Sequence, residues 1–65
     1  MLEIGDKIRI DYMRGEPDYT GRIGFVKKIS KDPWGDIAVY GTWGGLSLYI
    51  GKDVYTILEK VNKEQ

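Results

Sequence analysis

Apolar and polar residues alternate over residues 7–13. Ile8, Ile10 and Tyr12 fall on one side; Lys7, Arg9 and Asp11 fall on the other. A period of two marks a half-buried strand, because successive side chains of an extended chain point to opposite faces. The next apolar stretch, residues 22–30, breaks that period: Val26 and Ile29 are three apart. Both can face a core only if a bulge at Lys27-Lys28 interrupts the strand, and such a bulge also bends it. A third strand is predicted over residues 36–43, and Gly44-Gly45 supplies a two-residue hairpin turn with positive φ at both positions. That turn predicts Trp43 opposite Leu46, Gly41 opposite Leu48 and Val39 opposite Ile50, all on one face with Ile37. Ala38, Tyr40, Thr42, Ser47 and Tyr49 take the other face, with Tyr40 directly across from Tyr49. A short last strand over residues 54–58 turns Tyr55 and Ile57 inward. The expected interior is Ile8, Ile10, Val26, Ile29, Val39, Leu46, Leu48 and Ile57.

The stretches between these strands carry turn chemistry. Residues 14–20 contain Gly15, Pro17 and Asp18 and show no periodicity, as in a loop. Asp32-Pro33-Trp34-Gly35 places Asp, Pro and Gly where a type I turn prefers them. Gly51-Lys52-Asp53 is a further tight turn. No segment has a helical period. The fold class is therefore all-β: a small five-stranded barrel over residues 1–58, with a polar tail over residues 59–65 that is expected to fray.

Sixty-five residues make one domain with one small core, which buries only about 60% of the surface its unfolded chain exposes. The chain has no cysteine and no histidine. Disulfides, thiol catalysis and the commonest metal ligand and general base are thereby excluded. No calcium-loop spacing and no catalytic motif is visible, so neither enzymatic activity nor a metal or cofactor is expected. No apolar run reaches the length of a membrane span, and the first residues lack the basic and apolar regions of a signal peptide. A cytoplasmic location is expected. Ten basic and ten acidic residues cancel, whereas a dedicated nucleic-acid binder is usually basic.

The run Gly5-Asp6-Lys7-Ile8-Arg9, Met13, Pro17, Gly21-Arg22-Ile23-Gly24-Phe25-Val26 resembles the opening of a family of short bacterial domains of unknown function. Those read G-D-R-I-R, M, a Pro-containing loop and G-x-x-G-x-V. Leu46-Ser47-Leu48, then Gly51, Asp53, Tyr55 and Ile57, resembles the same family's L-x-L…G-x-D-x-F-x-I ending. The resemblance spans residues 5–58 and implies an SH3-like barrel of a kind often encoded on phages and mobile elements. It implies no catalytic or binding residue. The first half is also similar to the KOW element of ribosomal and transcription-elongation proteins, G-D-x-V-x-V…G-x-x-G-x-V. Ile23 and Phe25 depart from both patterns, which carry small or polar residues there, and the turn after Trp43 is tighter.

Three constellations are candidates for binding. With Val26 inward, Ile23 and Phe25 point outward, onto the same surface as Tyr40 and Tyr49. Exposed contiguous apolar residues mark a partner surface, unless loops or the tail cover them. The expected function is accordingly non-enzymatic protein association, with another protein or a second copy, through this face. A second cluster, Tyr12, Tyr19, Trp34 and Tyr55, has the aromatic character of the groove in which SH3 domains hold extended proline-rich peptides; ordinary packing in a small barrel explains the same residues. The third is a basic stretch with no acid among its charges, Arg22, Lys27, Lys28 and Lys31, near Phe25 and Trp34. Cations beside aromatic platforms hold single-stranded nucleic acid, the alternative function; the plainer explanation is a solvated surface.

Overall fold

The computed structural model describes residues 2–62. Five strands form in chain order: β1 (Lys7–Tyr12), β2 (Ile23–Lys31), β3 (Ile37–Gly41), β4 (Leu48–Tyr49) and β5 (Val54–Glu59), with one 3-10 turn at Pro17–Tyr19 between β1 and β2. All strand pairings are antiparallel, in the order β4-β3-β2-β1-β5. The protein is all-β.

β2 is the bend of the sheet. Its first half pairs with β1, as Ile23↔Arg9, Gly24↔Ile8 and Phe25↔Lys7. Its second half pairs with β3, as Lys28↔Tyr40, Ile29↔Val39, Ser30↔Ala38 and Lys31↔Ile37. The ladder slips by one residue between Val26 and Lys28, which is the bulge that the Val26–Ile29 spacing requires. The expected closure is not seen: β4 and β5 are the two edges, and among the described residues no ladder joins them. Their short connection is held instead by Asp53, whose carboxylate accepts from the Tyr49 and Arg14 backbone N–H groups at 2.8 and 2.9 Å.

Leu2, Ile8, Ile10, Met13, Val26, Val39, Trp43 and Leu48 form the core, with Tyr19, Ile37, Ile50, Tyr55 and Ile57 packed at its margin. Two residues expected inside are not enclosed. Ile29 is on the inner side but 37% exposed, because beyond the bulge β2 leaves β1 and the open corner gives it no cover. Leu46 is 40% exposed, because the β3–β4 hairpin is wider than a two-residue turn. The observed pairs are Val39↔Leu48 and Ala38↔Tyr49, two residues away from the expected register. Trp43 is the cause. Its ring lies against Gly41 and Gly24, where an added Cβ would come within 2.2 and 3.2 Å of the indole carbons. Its Nε1 donates to the Leu46 carbonyl at 2.9 Å. The indole therefore folds over the end of the ladder and pushes Leu46 into the loop. Only Gly44 of the glycine pair has positive φ. A slip of two residues preserves side-chain parity, so Trp43, Val39 and Leu48 still face inward.

β1 departs from simple alternation as well. Its pairing with β5 slips between Ile10 and Tyr12, so Tyr12 turns outward (52% exposed) and Met13 enters the core. Asp11 takes the extra position.

The chain ends meet at Asp6, the one charged side chain in the interior among the described residues. Its Oδ2 accepts from the Glu3 N–H and from Lys60 Nζ, both at 2.8 Å, and its Oδ1 accepts from the Val61 N–H at 2.7 Å. Val61 packs on Gly5, whose positive φ and missing Cβ make room for it. The boundary drawn at residue 58 thus cuts β5, and Lys60 and Val61 are tied down. The rest of the expected frayed tail, residues 63–65, lies outside the described residues. Burial drives the Asp6 carboxyl pKa up, but the hydrogen bonds from Lys60, Val61 and Glu3 outweigh it and hold the group below its ordinary value.

Leu48→Ala is expected to cost about 2–5 kcal/mol and Leu46→Ala no more than about 0.5 kcal/mol in denaturant unfolding; equal costs would contradict the observed register. Asp6→Asn is expected to cost about 3 kcal/mol, because either orientation of the amide sets an NH2 group against a donor. The folded-state pKa of Asp6 is depressed. Its contribution is therefore complete above the unfolded value of about 4 and disappears as pH falls through the lower folded value. The stability gap between parent and Asp6→Asn should accordingly shrink in acid, and a gap independent of pH from 7 to 2 (roughly the span over which carboxylates titrate) would contradict the assignment.

Candidate binding face

The outer surface of the sheet follows from the registers. Ile23 and Phe25 alternate with the inward Gly24 and Val26 along β2. Phe25 continues the ladder toward β3: its N–H donates to Thr42 Oγ1 at 2.9 Å and its carbonyl accepts from the Thr42 N–H at 3.1 Å. Two residues back along β3, on the same face, is Tyr40. It is therefore a diagonal neighbour of Phe25, within reach of an aromatic ring. Tyr40 does not lie across from Tyr49 as expected; the two-residue slip puts Ala38 there and leaves Tyr49 as a second diagonal neighbour of Tyr40. Ile23, Phe25, Tyr40 and Tyr49 thus form a diagonal stripe across β2, β3 and β4. Ile23, Phe25 and Tyr40 are 51%, 45% and 41% exposed, and Tyr49 is half-buried. Ala38, expected on this surface, is buried.

Each ring of the stripe has a lysine beside it. Lys7 is the cross-strand partner of Phe25. Lys28 is the partner of Tyr40, with its ammonium 5.6 Å from the ring centroid. Lys52 lies 5.7 Å from the Tyr49 centroid. Cations at this range are drawn to the negative face of an aromatic ring. Lys52 also reaches Asp36 at 3.3 Å. Among the described residues Lys7, Lys27 and Lys28 are in no ion pair. Beside Lys7 on β1, Arg9 is neutralised by Asp11 at 2.8 Å. Thr56 donates to the same carboxylate, and this bond, followed by that from Arg9, holds the Asp11 pKa below its ordinary value.

The basic stretch divides. Lys27 and Lys28 border the stripe. Lys31 pairs with Ile37 beyond it. Arg22 is turned away: its guanidinium lies 4.0 Å from the Tyr19 centroid and donates to the Trp43 carbonyl at 2.8 Å. The aromatic cluster divides too. Tyr19 sits beside Arg22, Tyr12 pairs with Val54 at a strand end, Trp34 projects from the β2–β3 turn at 85% exposure, and Tyr55 lines a separate apolar groove. No common groove gathers the four. Comparison with protein-family models, curated proteins and solved structures finds no match for this chain.

Two hollows are formed among the described residues, the first adjoining the Tyr49 end of the stripe. One, of about 490 Å³, runs between residues 13–16 and the β3–β4 and β4–β5 connections, with Met13, Arg14, Leu46 and Tyr49 in its wall. Of its two carboxylates, Glu16 is exposed, and Asp53 accepts backbone N–H groups on both oxygens and is occupied in holding the chain. The other, of about 390 Å³, is apolar. Among the described residues no three carboxylates converge as a metal would need, and no helix is long and apolar enough to cross a membrane.

Sequence parity placed the four stripe residues on one outer face, but it did not set Lys7 and Lys52 beside them. Phe25 follows Lys7 by eighteen positions, and only the β1–β2 register sets them side by side. Thr56→Val is expected to raise the Asp11 pKa toward its ordinary value in a carboxyl-detected NMR titration, since the Thr56 hydroxyl is the leading cause of the depression. An unchanged titration would show that the bond is absent in solution.

Proposed function

We propose that this chain is a non-enzymatic binding module, an SH3-like barrel opened between its edge strands, that docks a protein through the Ile23–Phe25–Tyr40–Tyr49 stripe. The strand order β5-β1-β2-β3-β4, with a bent β2 shared by both halves of the sheet, supports that fold. The observation that carries the function is the pairing of half-exposed rings with lysines. Aromatic anchors supply buried area at low conformational cost, and the lysine frame selects against basic partners. The matching surface is an apolar patch bordered by carboxylates.

Single-stranded nucleic acid is the second possibility, and the same lysines favour it: bases stack on Phe25 and Tyr40, and phosphates meet Lys7, Lys27 and Lys28. Neutral net charge and the diversion of Arg22 to Trp43 weigh toward protein.

Phe25→Ser with Tyr40→Ser is expected to keep the fold, since both side chains are solvent-facing, and to lose partners that the parent captures from its native cell extract after nuclease treatment. If the double variant captures the same partners as the parent, the stripe is not the docking face. Titration with short single-stranded DNA and RNA separates the two ligand classes. Binding that weakens steeply with salt and vanishes in Lys27→Glu with Lys28→Glu would favour nucleic acid; no binding at low salt leaves protein.

A further inference from the structure

The β2–β3 hairpin carries a knob and part of a hole. The knob is Trp34, 85% exposed at the hairpin tip. The turn that presents it is rigid. Asp32 Oδ1 accepts from the Trp34 and Asp36 N–H groups at 3.0 and 2.9 Å, the Gly35 N–H donates to the Asp32 carbonyl at 3.0 Å, and the Asp32 N–H donates to the Asp36 carbonyl at 2.9 Å. These bonds hold the backbone that carries the indole, so docking costs chiefly the side chain's own rotamer freedom.

The hole is the apolar groove of about 390 Å³ lined by Leu2, Ile29, Ile37, Val39, Ile50 and Tyr55. It lies at the open corner of the sheet, bordered by the edge strand β5 through Tyr55 and by the distal halves of β2 and β3, and it explains the exposure of Ile29. Its lining offers no polar side chain except the Tyr55 hydroxyl. The groove has room for an indole, and Trp34 does not fill its own.

We infer that two copies of this chain associate by exchanging hairpin tips, each Trp34 entering the groove of the other. Two observations select a second copy over another occupant. Knob and hole match in chemistry and size. They lie on the same hairpin, with Ile37 of the groove only three residues from Trp34 at the tip. A twofold axis between two such hairpins then makes both insertions at once and closes the assembly, as an isologous contact must. Each indole covers about 150–250 Å² and meets a comparable area of groove wall, so the exchange buries roughly 600–1,000 Å² in all. Stable interfaces begin at about 1,200 Å². The dimer is therefore weak, forming between micromolar and millimolar protein.

The test is sedimentation of the whole chain over that range, with folding of each variant checked by circular dichroism. The parent is expected to pass from monomer to dimer with no larger species. Trp34→Ala, which removes the knob, and Ile29→Lys, which spoils the hole, should each weaken association at least about tenfold, corresponding to the loss of roughly 1.4 kcal/mol. Mixing the two variants is the decisive step. Neither alone can make an insertion, but a mixed pair makes one, so the mixture should associate more tightly than either variant. A parent that stays monomeric at millimolar concentration overturns the inference, as does a Trp34→Ala chain that dimerises like the parent. A mixture no better than its components overturns the reciprocal exchange. Dimerisation lost in Phe25→Ser with Tyr40→Ser but kept in Trp34→Ala would place self-association on the outer stripe instead, again overturning it; failure of the exchange leaves the stripe's own test untouched.

Discussion

The Trp43 indole on its glycine seat is the contact on which the rest of the molecule depends. Gly41 and Gly24 leave a flat patch of backbone that no other residue would, and the ring that covers it is 3% exposed. This one placement closes the core at the end of the β3 ladder and sets the pairing of β4. It also supplies the carbonyl that holds Arg22, beside which Tyr19 stacks. An alanine at position 41 would drive a methyl group into the ring, and in a core this small no other part of the packing can yield to take it.

The second constraint is the joining of the chain ends at Asp6. A buried carboxylate is costly unless its lone pairs are met, and here they are met by two backbone N–H groups and one ammonium. The donors come from residues 3, 60 and 61, so the ion ties the start of β1 to the end of β5. That tie compensates for an unclosed sheet: among the described residues β5 pairs only with β1, and without the anchor its outer end would be the first segment to open. The Gly5-Asp6 pair thus has a structural role, the one making room for Val61 and the other binding it. Asp53 does the same at the opposite end of β5, so the edge strand is pinned by a carboxylate at each end.

These anchors leave two surfaces of different character. The outer stripe is aromatic, largely exposed and framed by lysines. The groove at the open corner is lined almost wholly by apolar side chains. They belong to opposite faces of the same bent hairpin, because the β2 bulge turns Ile29 inward while Lys28 and Tyr40 stay outward.

Local sequence determined the elements. Alternation marked β1, the Val26–Ile29 spacing demanded the bulge, and the Asp-Pro-Trp-Gly turn formed as its chemistry dictates, because each depends on backbone preferences and a period of two over a few residues. Parity along a strand is equally local, so Ile23, Phe25 and Tyr40 were legible as outward-facing. What the sequence left open was whatever depends on residues far apart. Whether Gly44-Gly45 or the Trp43 ring would govern the β3–β4 register turned on the indole meeting Gly24, nineteen positions earlier. Whether Tyr12 or Met13 would enter the core turned on β1 fitting β5. Whether Ile29 would be covered turned on the sheet closing, which no local pattern encodes. Nothing near Asp6 in the sequence marks it as buried, because Lys60 and Val61, which solvate it, come from the far end of the chain. The lysine beside each ring was likewise set by strand pairing, because charge and aromaticity have no period and become a site only when the tertiary fold places them together.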